Sequence, residues 1–262
     1  MGALLTAAHI GPTVAVTVLA TAYAGSLGMR PAATGLAAAA VLTGQLSIGW
    51  CNDLVDASRD RAVARSDKPL ATGELSPAVV RVACALAVAA TVPLSLACGV
   101  VAGLVHLVCV AAGWAYNLGL KSTLLSWLPY AVAFGGLTVF LTLAGPEGGL
   151  PAAWVPVAGA LLGVGAHLVN VLPDLGDDAA TGVRGLPHRV GERGTRVLSV
   201  VALGAASVVL ALGAEAVPAA VLGAGLVAVA VLAGVALTAR GRAPFRAAIG
   251  IAGVDVLLLV LR

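Results

Sequence analysis

The chain has 262 residues, of which 60% are hydrophobic and only 10% are charged, and its formal net charge is +3. A soluble domain carries about 25% charged residues, so this composition excludes a water-soluble globular protein. We therefore predict a polytopic membrane protein that forms one domain over residues 1–262, surrounded by lipid. We expect neither a nucleic acid nor a protein as its partner.

Nine stretches of the sequence are long and apolar enough to cross a bilayer, because a spanning helix needs about 20 mostly apolar residues. In chain order they are approximately 3–27, 32–51, 77–97, 99–119, 124–145, 151–172, 196–214, 217–238 and 244–261. These stretches are rich in Ala and Gly, and small residues let helices pack closely in lipid. The sequence therefore predicts an all-α bundle of nine transmembrane helices.

Basic residues concentrate on one side of this arrangement. Thirteen of the 15 Lys and Arg residues follow an even-numbered span, and only Arg30 and Arg262 follow an odd-numbered one. Cytoplasmic loops carry the excess of basic residues in membrane proteins. We therefore predict a cytoplasmic N-terminus. The composition, rich in Ala, Gly, Val and Arg, indicates a bacterial source, so we predict that the membrane is the bacterial cytoplasmic membrane. Two long polar connections, about 52–76 and 173–195, lie on the cytoplasmic side and follow spans two and six.

Two Asp-rich clusters begin these connections. The first contains Asn52, Asp53, Asp56 and Asp60, and the second contains Asn170, Asp174, Asp177 and Asp178. In each cluster an Asn and two Asp residues occupy positions i, i+4 and i+8, which share one face of a helix. Carboxylates are costly near a bilayer and indicate function there. The alternative, in which each cluster is only a solvated helix end, does not account for the matching spacing.

The two clusters offer oxygen ligands to a divalent cation. Mg²⁺ prefers such ligands and often shares its coordination with substrate phosphates, which makes diphosphate a better leaving group. The predicted metal ligands are Asn52, Asp53, Asp56, Asp60, Asn170, Asp174 and Asp178. The predicted catalytic residues are Asp56, Asp60, Asp174, Asp178 and Lys121. The Asn and two Asp residues at i, i+4 and i+8 of each cluster form what we call its ladder. Asp177 lies outside the second ladder, and we expect it not to bind the metal.

Basic and polar residues near the predicted cytoplasmic side are candidates for binding a diphosphate. They are Asn52, Arg65, Lys68, Tyr116, Asn117 and Lys121. Lys121 has no other charged residue close to it in the sequence, so it is suited to hold a diphosphate as a point charge. The alternative for Lys121 is snorkelling to the lipid headgroups. Arg65 and Lys68 have the alternative of serving only the membrane topology.

Other polar residues of the apolar stretches are expected to have structural roles. We predict that His9, His106 and His167 are hydrogen-bonded in the core and do not bind metal. The four cysteines are predicted to be buried thiols. Asp255, in the ninth span, requires a polar partner that the sequence does not identify.

These motifs resemble those of the UbiA superfamily of intramembrane prenyltransferases, and the resemblance covers the whole chain. Asn52, Asp53, Asp56 and Asp60 match the motif NDxxDxxxD, and Asp174 and Asp178 match the motif DxxxD. Residues Lys68–Gly73 match a basic-Pro-Leu-x-x-Gly stretch that follows the first motif. A Gly-x-x-x-Leu-Pro-x-x-x-Gly stretch that follows the second motif is matched by Gly182, Leu186, Pro187 and Gly191. The resemblance implies a nine-helix bundle with both Asp motifs over a central cavity. A Tyr-x-x-x-Lys element departs from the family pattern, because Tyr116 and Lys121 are one residue too far apart.

The resemblance also implies the reaction. An isoprenyl diphosphate would bind through Mg²⁺ at the Asp motifs and ionise to an allylic carbocation. A small-molecule acceptor, often aromatic, would then capture the cation.

Three alternatives to acceptor prenylation differ in what they require of the sequence. Some members of the superfamily are terpene cyclases, which profit from aromatic faces, whereas this chain has only three Phe, three Tyr and four Trp. Five aromatic residues do lie near the motif end of their helices, namely Trp50, Trp114, Tyr116, Trp127 and Tyr130. A transporter would need acids along a path across the membrane, but apart from Asp255 the intramembrane acids lie at one face. A CDP-alcohol phosphotransferase would need an Asp-Gly-x-x-Ala-Arg motif, which is absent.

Overall fold

The computed structural model describes residues 2–176, 182–213, 215–241 and 243–261, and no β-strand occurs among them. The all-α prediction is therefore confirmed. The helices are α1 (Gly2–Ala7), α2 (Ile10–Ser26), α3 (Pro31–Ala62), α4 (Pro69–Thr72), α5 (Pro77–Ala97), α6 (Val100–Leu118), α7 (Leu128–Ala144), α8 (Trp154–Val171), α9 (Leu186–Gly213), α10 (Ala219–Thr238) and α11 (Ala243–Leu261). Two 3₁₀ turns cover Leu120–Ser122 and Leu172–Asp174.

Seven helices in the described part of the chain are long and apolar enough to cross a membrane. They are α3, α5, α6, α8 with its following 3₁₀ turn, α9, α10 and α11. The apolar helices α2 and α7 are shorter, with 17 residues each, and they lie where the first and fifth spans were predicted. The chain is therefore an integral membrane protein, while the count of nine spans and the orientation stay predictions.

The first predicted span is not one continuous helix, because the chain breaks at His9 between α1 and α2. Pro12 has no backbone N–H and cannot donate to the carbonyl of Ala8 four residues earlier. The Thr13 hydroxyl donates to that carbonyl instead, at 3.0 Å. His9 adopts a left-handed backbone conformation (φ 51°, ψ 55°), which is uncommon for a residue other than glycine.

The first predicted polar connection also differs from the structure, because α3 continues to Ala62. Its 32 residues span about 48 Å at 1.5 Å per residue, well beyond a hydrocarbon core of about 30 Å. Arg59 pairs with Asp56 one turn earlier, and both Arg59 and Arg61 lie in the last turn. Basic side chains near the C-terminus of a helix stabilise it, because they interact favourably with the helix dipole. The polar residues therefore extend the helix and do not end it.

The contacts divide the chain into two units. Unit 1 comprises Met1–Gly119 and Phe140–Gly149, and unit 2 comprises Leu120–Val139 and Leu150–Arg262. The core of unit 1 at the α1, α3 and α5 contacts contains Trp50, Leu70 and Val80, and a core of unit 2 contains Leu162, Leu203 and Ile251. The first Asp cluster belongs to unit 1 and the second to unit 2.

Close backbone contacts hold the helices of each unit together. In unit 1, Gly49 of α3 lies directly against the carbonyl of Ala8. In unit 2, Gly159 and Gly163 of α8 lie against backbone carbonyls of α7. Small residues are typical of such contacts in lipid, where burial of apolar surface contributes little to helix association.

Buried polar side chains in the spans have hydrogen-bond partners, as the sequence predicts. In unit 1, His106 Nδ1 lies 2.7 Å from Ser95 Oγ. In unit 2, Ser207 donates to the Asp255 carboxylate at 2.6 Å. Asp255 is fully buried, so Ser207 is the polar partner that an acid in this position requires.

We predict that Gly49→Ala destabilises the protein. A Cβ atom at position 49 would overlap the Ala8 carbonyl, and backbone cannot yield as a side chain end would. Overpacking of this kind costs about 1–3 kcal/mol, so the melting temperature of the detergent-purified protein should fall. Gly35→Ala is the matched control in the same helix, since a Cβ there has no neighbouring atom within 4 Å. Equal melting temperatures for the two variants would contradict the prediction.

Candidate functional site

The first Asp cluster lies on the last three turns of α3. Asn52, Asp56 and Asp60 are all in this one helix and are all partly buried. Positions four residues apart in a helix are neighbours on one face, so the predicted alignment of the first ladder is present in the structure. Arg59 forms an ion pair with Asp56.

Asp53 differs from the ladder residues because it is almost completely buried. Its side chain is 1% exposed, and its Oδ1 atom lies 2.7 Å from Lys68 Nζ. Lys68 immediately precedes α4, and Pro69 at the first helical position fixes the start of that helix. The loop between α3 and α4 thus returns Lys68 to the α3 surface, where it neutralises Asp53.

His9 completes this cluster, a place that its position in an apolar stretch does not predict. Its Nε2 atom lies 2.9 Å from Asp53 Oδ1, 2.9 Å from Lys68 Nζ and 3.3 Å from Asn52 Nδ2. The prediction that His9 has hydrogen-bond partners is confirmed, although its side chain is 37% exposed and not buried. A polar residue two positions before Gly11-Pro12 in an apolar stretch is a sequence signal for a helix break at this point.

Arg65 has a partner outside the cluster. Its guanidinium donates two hydrogen bonds of 2.8 Å to the carboxylate of Asp67. These bonds lower the pKa of Asp67 to about 2. A carboxylate with a lowered pKa stays ionised at neutral pH, and its pairing is lost only as the pH falls from about 4 toward 2. Arg65 and Asp67 are therefore paired throughout the physiological range.

Tyr116 and Asn117 lie in the last turn of α6. Asn117 is buried, and its side-chain amide donates to the carbonyl of Ile48 in α3 at 2.9 Å. This bond joins α6 to α3 one turn before Asn52. Tyr116 is partly buried. The structure thus shows a helix-joining role for Asn117, whereas its predicted contact with diphosphate stays a prediction.

In unit 2, Lys121 is a buried residue of the 3₁₀ turn that follows α6, with 7% of its surface exposed. Gly185 lies against the backbone carbonyl of Lys121, and no side chain larger than hydrogen fits there. The segment before α9 therefore packs on the segment that carries Lys121.

Ser126 joins three elements next to this contact. Its hydroxyl accepts a hydrogen bond from the backbone N–H of Leu186 at 3.2 Å and lies 3.1 Å from His167 Nε2 in α8. The bond to Leu186 satisfies one of the N–H groups that the start of a helix leaves without an intrahelical partner. The prediction that His167 is hydrogen-bonded in the core is confirmed.

The second ladder is not carried by one uninterrupted α-helix. Asn170 lies in α8, which ends at Val171, and Asp174 lies in the 3₁₀ turn that contains Pro173. A 3₁₀ turn has three residues per turn, so the α-helical four-residue alignment does not hold through this segment. The Asn170 side chain hydrogen-bonds with Tyr130. Asp178, together with Asp177, lies outside the described residues.

Gly191 shapes the chain after the second cluster. It has φ 73° and ψ 175° within α9, where the helix kinks. Residues with a side chain rarely adopt this φ. The buried Thr195 hydroxyl donates to the carbonyls of Pro187 and Gly191, at 3.0 and 2.8 Å, and so joins the two sides of the kink.

Three solved structures have the fold of this chain. The apo UbiA homolog of Aeropyrum pernix K1 is 18% identical, with a TM-score of 0.75 over 94% of this chain and 96% of that chain. The UbiA homolog of Archaeoglobus fulgidus bound to GPP and Mg²⁺ is 15% identical, with a TM-score of 0.73 over 98% and 97%. A structure of digeranylgeranylglyceryl phosphate synthase is 14% identical, with a TM-score of 0.70 over 99% and 96%. At these identities the likeness shows a shared fold.

No curated protein sequence matches the chain. The sequence model of the UbiA prenyltransferase family, however, matches residues 12–248. The chain belongs to the UbiA prenyltransferase family. The resemblance seen in the motifs is thereby confirmed, and membership in the UbiA family supports the coarse prediction of an intramembrane prenyltransferase.

The oxygen donors on α3 of this UbiA family member suit a hard cation. Asp60 is partly buried, is attracted by Lys68 and is repelled by Asp56, and a bound divalent cation would relieve the repulsion between the two carboxylates. Among the residues that the structure describes, no three His, Cys, Asp or Glu side chains form a group that holds a metal by itself. Mg²⁺ nevertheless fits, because it is usually held by one or two carboxylates together with substrate phosphates and water.

We predict that Ser126→Ala lowers the melting temperature of the protein. The substitution removes the acceptor of the Leu186 N–H, and an unsatisfied buried donor costs about 1–3 kcal/mol. Ser122→Ala, four residues earlier, is the matched control because Ser122 is only partly buried. Thermal unfolding in detergent would measure the difference, and a loss of stability no larger than that of the control would refute the role of Ser126.

Proposed function

We propose that this protein is a Mg²⁺-dependent prenyltransferase that ionises an isoprenyl diphosphate and transfers the prenyl group to an aromatic or other lipophilic small molecule. The observation that carries the proposal is the family match over residues 12–248, which includes both Asp clusters. The Archaeoglobus fulgidus homologs bound to DMAPP and Mg²⁺ and to GPP and Mg²⁺ support the same class of substrate and cofactor.

The Asp clusters are proposed to hold the metal. The proposed ligands of the first cluster are Asn52, Asp56 and Asp60, and those of the second cluster are Asn170, Asp174 and Asp178. When bound there, Mg²⁺ would neutralise the charge that develops on the departing diphosphate. Arg59 is paired with Asp56 in the structure, and we expect the metal to replace this cation at the Asp56 carboxylate.

Basic residues are proposed to bind the diphosphate directly. Lys121 is buried and belongs to a segment that Gly185 holds in place, so its ammonium group is presented by a fixed backbone. A buried ammonium interacts with phosphate more strongly than an exposed one, because the local dielectric constant is lower. Lys68 is a second candidate because its position is fixed by Asp53. Arg65 is a weaker candidate, since it would have to leave Asp67.

Exclusion of water is the remaining requirement of the proposed reaction. An allylic cation reacts with any water that reaches it, so a productive transfer needs a dry environment. The helices of both units are apolar over most of their length, which supplies such an environment for a prenyl chain. Trp50 and Trp114 donate hydrogen bonds to Leu4 and Ser47 in unit 1. Their N–H groups serve helix packing there.

The location of the reaction follows from the distribution of charge. Thirteen of 15 basic residues follow even-numbered predicted spans, which favours a cytoplasmic position for both Asp clusters. The proposed location is the cytoplasmic membrane of a bacterium.

A product assay tests the proposed function. Membranes containing the protein receive labelled geranyl, farnesyl or geranylgeranyl diphosphate with Mg²⁺, first alone and then with phenolic, quinone-precursor and glycerol-phosphate acceptors. We expect a prenylated acceptor and release of diphosphate, both lost when EDTA removes the metal. A cyclic product formed without an acceptor would instead make the protein a cyclase.

We predict that Asp56→Asn and Asp174→Asn each lower kcat by on the order of 100-fold, as when other groups that stabilise developing charge are removed. Each change removes one charge from a proposed metal site with little change in shape. Glu74→Gln is the matched control, since this acid is exposed and belongs to no cluster. Turnover of either Asp variant at the rate of the Glu74→Gln control would contradict the assignment.

A further inference from the structure

We propose that His9 is a positioning residue for the diphosphate site, where its Nε2 atom holds Lys68 against the buried carboxylate of Asp53. This inference rests on the proposed function and names a residue that acts through Lys68. It assigns Asp53 as the counter-ion of that lysine.

Three atoms form the centre of this arrangement. His9 Nε2, Lys68 Nζ and Asp53 Oδ1 are separated by 2.7–2.9 Å on every side. An ammonium group has only donors, so His9 accepts from Lys68 when Nε2 carries no proton. When Nε2 carries a proton, it donates to Asp53. In both tautomers the ring is hydrogen-bonded to the Lys68–Asp53 pair.

The backbone around His9 brings the ring to this position. Ala8 lies against Gly49 of α3, one turn before Asn52 and Asp53. The indole of Trp50 donates to the Leu4 carbonyl at 3.0 Å and ties α1 to the same turn. His9 itself has a left-handed backbone, which a residue with a side chain adopts only when its surroundings impose it.

The contacts with Asp53 and His9 fix the orientation of the Lys68 ammonium group. Of its three N–H groups, one meets Asp53 and a second meets His9 in the accepting tautomer, which leaves one for a phosphate oxygen. The Lys68 side chain is 13% exposed, so it is not fully covered. A lysine that is already ordered loses less conformational freedom on binding than a flexible one. His9 would therefore strengthen diphosphate binding without touching the substrate.

Asp53 is suited to the role of counter-ion. Its side chain is 1% exposed, and Oδ1 serves both Lys68 and His9. The Oδ2 atom is buried as well. A hydrated cation has no access to a carboxylate with both oxygens buried, whereas Asp56 and Asp60 are only partly buried. The division of roles within the first motif follows from this difference in exposure.

Three substitutions of His9 separate the ring from the backbone. His9→Gly removes the ring and relieves the left-handed conformation, and His9→Asn keeps a residue that tolerates this conformation but shortens the side chain. His9→Gln keeps a side-chain amide of longer reach that accepts and donates. We expect Gly and Asn to weaken binding of inorganic pyrophosphate with Mg²⁺ by on the order of 10-fold, as when other outer-shell partners are lost. His9→Gln should retain most of the affinity.

Calorimetry on the purified protein measures pyrophosphate binding, and kinetics with geranyl diphosphate measures KM and kcat. The KM should rise by the same factor as the pyrophosphate dissociation constant, with kcat nearly unchanged. The double variant His9→Gly with Lys68→Met should bind no more weakly than Lys68→Met alone, because His9 acts through Lys68. Additive effects would overturn the proposal, as would wild-type binding by His9→Gly or its failure to fold.

The failure of this inference is distinct from the failure of the proposed function. If the wild-type protein neither binds pyrophosphate with Mg²⁺ nor turns over a prenyl diphosphate, the proposed function fails, and the role of His9 fails with it. If the wild-type protein does both and His9→Gly behaves identically, only the positioning role is wrong.

Discussion

A carboxylate in a low-dielectric interior has to be matched by a cation or by hydrogen-bond donors, and the first Asp cluster is arranged around this requirement. Asp53 is 1% exposed and meets both Lys68 and His9. Burial of an isolated carboxylate would cost more than the fold can supply, so the α3–α4 loop and the α1–α2 break must both return to α3. The position of one buried oxygen thus fixes three separate parts of unit 1.

Backbone interruptions supply the remaining geometry in both units. In unit 1, Pro12 leaves the Ala8 carbonyl without its helical donor, and the chain turns at His9. In unit 2, Gly191 kinks α9, and Thr195 hydrogen-bonds across the kink. Helices alone would place side chains only along regular faces. The interruptions bring side chains and N–H groups to positions that regular helices do not reach.

Much of the fold could be predicted from the sequence, because apolar length and the spacing of Asn52, Asp56 and Asp60 depend on local helix geometry. The helical class, the approximate positions of most spans and the family follow from such local patterns. The α1–α2 break has a local cause in Pro12, but the packing of Ala8 against Gly49 and the pairing of Asp255 with Ser207 depend on contacts between residues distant in sequence. His9 belongs to the same class, since its three partners lie 43–59 residues away.

The two Asp ladders have the same spacing in sequence but different backbones, and this difference bears on their roles. On α3 the rise between Asp56 and Asp60 is about 6 Å along one continuous helix axis, so their relative position is set by regular hydrogen bonding. Pro173 lies in a 3₁₀ turn directly before Asp174, where that regularity ends. The proposed ligands of the first ladder are therefore held by regular helix geometry, whereas the position of Asp174 is set by the turn that contains Pro173.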